Sequence, residues 1–163
     1  MKFTNRKILE MSIIFEALAQ KQVNVRFAYA MAKNKAAIEK QAKILREASM
    51  PSTKYLEYEQ KRVSLGREMA DKDEKGKPLA DGPLFRIPDI DKFNERWDEL
   101  KEEYKEVIKA REKQLKDFEE IMDKQVDIKG LETVAFEDLP EQISSAEMSA
   151  LMPLIIKEEK KKK

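Results

Sequence analysis

The sequence predicts a mainly α fold: a long antiparallel helical hairpin of coiled-coil-like type, with a short N-terminal helix and a small C-terminal β-hairpin plus helix. Charged residues make up 40% of the 163-residue chain, against about 25% in ordinary domains, which favours long exposed helices. Only four Gly and six Pro are present, too few to connect many short strands. Apolar residues recur at helical spacing through most of the chain.

The short N-terminal helix has a recognisable start signal. Thr4 is a suitable N-cap, and Phe3 before it can pack on Ile8 as a hydrophobic staple. An apolar stripe then continues at helical spacing with Met11, Phe15 and Leu18.

A second helical segment begins at Val25, after Asn24 as its cap, and is interrupted near Pro51. Proline is tolerated only in the first turn of a helix, so we expect a restart there and helix to about Ala70. The expected seam before the break consists of Ala28, Met31, Ile38, Ala42 and Leu45. After the break, the expected apolar contacts are Tyr55, Leu56 and Val63.

A long acidic helix is predicted from Asp89 to Gln125, because two series of residues seven apart are offset by three. One series is Ile90, Trp97, Tyr104, Arg111 and Phe118, and the other is Phe93, Leu100, Val107, Gln114 and Ile121. Each large apolar side chain left in water forgoes roughly 1.5–3 kcal/mol. We therefore expect the second segment and its continuation to cover this ridge as an antiparallel hairpin, with loop 71–88 at the turn.

The C-terminal part changes character after the long helix. Apolar and polar residues alternate on both sides of Gly130, which predicts a small β-hairpin or two extended segments. Ser144 and Glu147 form a capping-box pattern at the start of a short helix that should end near Pro153. Residues 1–156 are thus predicted to form a single domain, with 126–156 as a small cap, and the Lys-rich tail 157–163 to be disordered.

Charge is distributed unevenly along the chain, although the net charge is only +1. Residues 1–69 carry 14 basic and 7 acidic side chains, whereas residues 89–125 carry 13 acidic and 9 basic ones. A basic first half and an acidic second half would attract each other in one fold, so the asymmetry does not require a nucleic-acid partner.

The chain contains no His and no Cys, which removes imidazole and thiolate chemistry. Carboxylates on the long helix alternate with lysines, a pattern typical of a solvated face with ion pairs. The loop around Asp71, Asp73 and Gly76 fails as a calcium loop because Lys75 and Gly82 stand where oxygen ligands are required. We therefore expect no catalytic, cofactor or metal site, and a protein that is not an enzyme.

Two kinds of binding surface are candidates. An apolar surface for a protein partner would use Trp97, Phe85, Leu151, Met152, Leu154 and Ile155, although the last four could instead close the hairpin's open end as core. A nucleic-acid surface would use the Lys-rich tail together with Lys33, Lys35, Lys40, Lys43 and Arg46. A homodimer formed through the apolar ridge of the long acidic helix is a further alternative.

The layout resembles small uncharacterised accessory proteins of tailed bacteriophages. The resemblance rests on the short first helix, the stretch VNVRFAYAMAKN, the KDEKGK turn of a long hairpin and the closing FEDLPEQISSAEMSALMPLI. It implies a phage protein of mostly helical fold that docks on a host or virion protein as an inhibitor, adaptor or assembly helper. No run approaches the roughly 18 apolar residues needed to span a bilayer, so we expect no membrane association and a location in the host cytoplasm.

Overall fold

Six helices account for most of the part of the chain that the structure describes, so the predicted mainly α class is confirmed. The computed structural model describes residues 1–82 and 84–156. The predicted disordered tail, 157–163, lies outside the described residues. Within the predicted domain, the chain divides into two compact units: residues 1–49 with 118 onward form unit 1, and residues 50–117 form unit 2.

Unit 1 is organised around a helical hairpin of α1 (Asn5–Leu18) and α2 (Val25–Ser49). Thr4 caps α1 as predicted, since its hydroxyl accepts a hydrogen bond from the Lys7 backbone N–H at 3.2 Å. Asn24 caps α2 in the same way through the Phe27 N–H at 2.9 Å. The core between the two helices is fully or almost fully buried and includes Ile8, Met11, Phe15, Leu18, Phe27, Ile38 and Leu45.

Short extended and helical segments close this unit. Strand β1 (Lys2–Thr4) pairs antiparallel with β4 (Gln125–Asp127), with Phe3 opposite Val126. The C-terminal strand predicted near this position is therefore present, but its partner comes from the N-terminus and not from a neighbouring segment. Helix α6 (Ser145–Leu151) starts with the predicted capping box of Ser144 and Glu147.

Unit 2 contains α3 (Thr53–Met69), a small hairpin of β2 (Ala80–Asp81) and β3 (Leu84–Phe85), α4 (Ile90–Glu103) and the first part of α5 (Lys105–Met122). The restart after Pro51 is confirmed, with Ser52 as the N-cap of α3 through the Tyr55 N–H at 3.2 Å. The loop forms the expected polar turn, because the Asp73 carboxylate accepts hydrogen bonds from the N–H groups of Lys75 and Lys77.

Helix α3 runs antiparallel to α4 and the start of α5. Lys61 pairs with Glu103 at 2.9 Å and Arg96 with Glu68 at 2.7 Å. The buried contact between the helices is formed by Tyr58, Leu65, Leu100 and Tyr104. The helix pairing thus differs from expectation in one respect: α3 covers the acidic helix, whereas α2 packs on α1 in unit 1.

The predicted long helix is interrupted at Tyr104, whose backbone angles of φ −104° and ψ 14° are not helical. The interruption spans one residue, and hydrogen bonds of the i to i−4 type still connect Tyr104 with Leu100 and Ile108 with Tyr104. Gln114, a polar residue within the predicted heptad series, also has a structural role, since it donates to the Met50 carbonyl at 2.9 Å. None of the described helices is long and apolar enough to cross a membrane.

Candidate protein-binding surface

An apolar groove lies in unit 2, where α3, β3 and the start of α4 meet. Its volume is about 380 Å³. We call it the apolar groove, and its lining consists of Arg62, Val63, Gly66, Leu84, Phe85, Ile87, Phe93 and Trp97. The two predicted partner-binding aromatics, Phe85 and Trp97, are therefore brought together on one surface.

The floor of the apolar groove depends on a close approach between α3 and β3. A Cβ placed on Gly66 would lie 2.8 Å from Cδ2 of Phe85, which is shorter than van der Waals contact. Gly66 itself is buried inside the helix. The absence of a side chain at this position is what lets the Phe85 ring lie against the helix backbone.

Trp97 connects the apolar groove to the core of unit 2. Its ring is stacked on Phe93, with centroids 5.9 Å apart and planes 20° apart, and it lies 6.4 Å from the ring of Tyr58. These separations fall in the range of favourable aromatic pairs. Burial raises the pKa of the Tyr58 hydroxyl, because the phenolate would lose solvation there. Trp97 is thus held by aromatic neighbours while remaining part of the groove lining.

The exposed wall of the apolar groove is formed by aliphatic residues. Leu84 is 71% exposed and Val63 is 42% exposed. The one charged lining residue is Arg62, whose guanidinium carbon lies 5.9 Å from the Trp97 ring centroid, within the distance of a cation–π contact. The arrangement can accept an apolar side chain next to a cationic group.

No family model, curated protein or solved structure matches this chain.

The opposite side of the α3–α4 pair is a charged cleft of about 300 Å³ that includes the Arg96–Glu68 and Lys61–Glu103 pairs. Hydrogen bonding from Arg96 lowers the pKa of the Glu68 carboxyl. Both charges are therefore engaged with each other on a solvent-exposed surface, which is a common role for helix side chains. Unlike the apolar groove, this cleft is lined mainly by charged side chains.

The predicted C-terminal apolar patch is divided by the fold. Leu151 and Leu154 are fully buried in the core of unit 1, so we correct their assignment: in this fold they pack inside and are not exposed for a partner. Ile155 is half-buried against the same core, because its segment forms a bridge with Val134. Of the four residues predicted there, Met152 is the one that stays exposed, at 65%.

The predicted nucleic-acid face of α2 is largely occupied by ion pairs within unit 1. Lys33 pairs with Glu132 at 2.8 Å and Lys35 with Glu16. Near the end of the helix, Arg46 pairs with Glu39 at 2.6 Å, and Lys43 lies 3.9 Å from Glu47. Hydrogen bonding from Arg46 lowers the pKa of Glu39. Lys40 is exposed and has no ion pair among the residues the structure describes.

Several lining residues were not singled out by sequence reasoning. Val63 was expected to be a buried contact of α3, yet it faces the groove and Tyr58 and Leu65 are buried instead. Leu84 and Ile87 gave no sequence signal of their own, because their role depends on the fold of the 71–88 loop over α3. Gly66 itself, a glycine within a helical pattern, could have indicated a close approach of another element to α3.

Proposed function

We propose that the chain is a non-enzymatic accessory protein that docks on another protein through the apolar groove. The observation that carries this proposal is the combination of a 71% exposed Leu84 with Phe85 and Trp97 in one lining. Aromatic anchors in concave apolar surfaces account for much of the binding energy in protein interfaces. Exposed apolar patches of this kind are typical of interaction sites.

The setting that we propose follows from the resemblance to tailed-phage proteins. In that setting the chain acts in the host cytoplasm on a host or virion protein, as an inhibitor, an adaptor or an assembly helper. The groove suits such a role because a preformed surface on packed helices binds without a large ordering cost.

We propose that binding, and not catalysis, is the activity. Several carboxylates of α4 and α5 are engaged with neighbouring lysines, as in the pairs Lys105–Glu102 at 2.8 Å and Lys109–Glu106 at 3.6 Å. Such pairs on an exposed helix face are ordinary surface electrostatics. The lining of the groove, by contrast, is apolar apart from Arg62.

A matched pair of variants tests the proposal. The tagged chain and the variants Leu84→Asp and Leu56→Asp would be used to isolate binding proteins from phage-infected host lysate, with quantitative mass spectrometry of the eluates. Both side chains are exposed, at 71% and 48%, but only Leu84 lines the groove. We expect a specific protein to be retained by the wild-type chain and by Leu56→Asp and reduced at least tenfold with Leu84→Asp. Equal retention by both variants would contradict the groove as the docking site.

A homodimer through the apolar ridge of the long acidic helix is the alternative partnership. In unit 2 the ridge residues Leu100 and Tyr104 are already buried against α3 of the same chain, each less than a tenth exposed. We therefore propose that the chain binds its partner as a monomer. Light scattering over a hundredfold concentration range should give a constant mass near 19.1 kDa, and a mass that doubles with concentration would favour the dimer.

A further inference from the structure

We infer that the occupant of the apolar groove is a short acidic segment of a protein partner that carries a bulky apolar anchor residue. This inference rests on the proposed function and specifies the chemistry of the partner. It is drawn from the charge, the hydrogen bonding and the size of the groove.

The apolar groove offers a cationic hydrogen-bond donor to a partner. Arg62 is the one charged residue in the lining. Its Nε group donates to a carboxylate oxygen of Glu59 at 3.1 Å, and its Nη2 atom lies 2.7 Å from the same oxygen. Its Nη1 group has no acceptor among residues 1–82 and 84–156, and the side chain is 45% exposed. A carboxylate of a partner can therefore bind Arg62 without displacing Glu59.

A second arginine, Arg67, lies on α3 outside the groove lining. Arg67 follows the lining residue Val63 by one helical turn, so the two side chains are neighbours on the surface of α3. Arg67 is exposed, and within the described part of the chain it has no ion pair. Arg62 and Arg67 therefore lie on either side of Val63 along the helix, which suits a segment with carboxylates flanking an apolar residue.

The size of the apolar groove suits one or two large apolar side chains. Its volume of about 380 Å³ is at the low end of ligand sites, which span about 300–1,000 Å³. The walls are formed by aromatic and aliphatic side chains, with Trp97 and Phe93 stacked at one side. One large apolar side chain, such as Phe or Leu, can pack on these rings while its acidic neighbours reach the two arginines.

Trp97 makes the inference directly testable, since it is the only Trp in the chain and it lines the groove. The probes are three blocked synthetic hexapeptides: EELFEE, KKLFKK and EEGSEE. We expect EELFEE to change the emission of Trp97 saturably and the other two to bind at least tenfold more weakly. Because the contact includes ion pairs, the Kd for EELFEE should rise several-fold between 50 and 500 mM NaCl.

Charge-neutralising variants identify the arginines. The double variant Arg62→Gln/Arg67→Gln should weaken EELFEE binding at least fivefold. The matched control Arg26→Gln/Lys40→Gln removes two exposed positive charges from α2 and should leave the Kd unchanged within twofold. A Kd that changes equally in both double variants would indicate only a net-charge effect and would overturn the assignment of Arg62 and Arg67.

The outcomes separate this inference from the proposed function. Equal binding of KKLFKK and EELFEE would overturn the acidic partner while supporting an apolar docking groove. If no peptide changes Trp97 emission but a lysate protein is still lost with Leu84→Asp, the inference fails and the proposed function stands. If neither peptide nor lysate protein depends on the groove, both fail.

Discussion

The aromatic ring of Phe85 lies so close to Gly66 that a Cβ on Gly66 would be 2.8 Å from Cδ2 of Phe85. Glycine inside a helix costs about 1 kcal/mol relative to alanine, so this position sacrifices helix stability for a contact between two elements. The contact fixes β3 over α3 and gives the apolar groove its floor.

Replacing Gly66 by Ala should therefore disturb the groove more than the stability of the chain. We expect the Phe85 ring to move and Trp97 emission to shift to longer wavelength, while unfolding free energy changes by less than about 1 kcal/mol because the gain in helix propensity opposes the clash. Ser64→Ala, at an exposed position of the same helix, is the control and should leave Trp97 unchanged. A Gly66→Ala variant stabilised by the full propensity gain, with unchanged emission, would contradict this account.

The packing of α3 on α4 can be tested at Leu100, which is 9% exposed in the core of unit 2. Leu100→Ala should lower the unfolding free energy by about 2–3 kcal/mol, through lost apolar burial and a residual cavity. Leu115, on α5 and 46% exposed, is the control, and its change to Ala should cost less than about 1 kcal/mol. Urea denaturation measures both, and similar losses for the two variants would argue against the α3–α4 core.

Asn34 holds the extended segment around Glu132 on α2. It is fully buried, donates to the Glu132 carbonyl at 2.9 Å and accepts from the Glu132 N–H at 2.7 Å. Asn34→Ala removes both hydrogen bonds and leaves partly buried main-chain groups unpaired, which should cost about 2–3 kcal/mol in thermal or urea unfolding. Asn94→Ala, exposed on α4, should stay within about 0.5 kcal/mol. Equal losses of stability at the two positions would show that the Asn34 hydrogen bonds to Glu132 do not stabilise this segment.

The ion pair of Glu147 with Lys21, at 2.8 Å, predicts that the stability of unit 1 depends on pH. Hydrogen bonding from Lys21, followed by that from the Ser144 backbone N–H, lowers the pKa of Glu147. A lowered pKa in the folded state means that the stabilisation is complete above the unfolded value of about 4.3 and is lost as the pH falls through the folded value. The unfolding free energy of the wild type should exceed that of Glu147→Gln by about 1 kcal/mol at pH 7. This difference should shrink as the pH falls through the folded pKa, which lies below the unfolded value.

The control for that measurement is Glu132→Gln. Its pair with Lys33 is exposed on both sides, at 43% and 47%, so removing the charge should cost less than about 0.5 kcal/mol. A constant difference between wild type and Glu147→Gln from pH 3 to pH 7 would show that the carboxylate charge is not the source of the stabilisation.

The nucleic-acid alternative gives a distinct outcome on a DNA column. Since four of its five basic residues on α2 are in ion pairs, we expect no retention at about 0.15 M salt, where phosphate contacts must compete with counterions. Retention that falls steeply with salt and is lost with Lys40→Gln/Lys43→Gln, but not with Arg62→Gln/Arg67→Gln, would favour that alternative over the groove.

Local features were predictable from the sequence because they depend on residues within one or two helical turns. Thr4 and Asn24 cap their helices, and the capping box of Ser144 and Glu147 forms, all as predicted. The heptad spacing also identified Leu100 and Tyr104 as residues that must be buried. Phe85 and Trp97 were predicted as part of the candidate surface, but together with a C-terminal patch that belongs to unit 1.

The choice of partner for each apolar stripe was decided only by the tertiary structure. The stripe of α2 could pack on either α1 or the acidic helix, and the sequence pattern is equally compatible with both, because apolar burial is not directional. In the same way, Leu56 and Val63 stay exposed while Tyr58 and Leu65 are buried, and β4 pairs with a strand more than a hundred residues away. The close approach of Gly66 to Phe85, which gives the apolar groove its floor, is likewise a contact between separate elements.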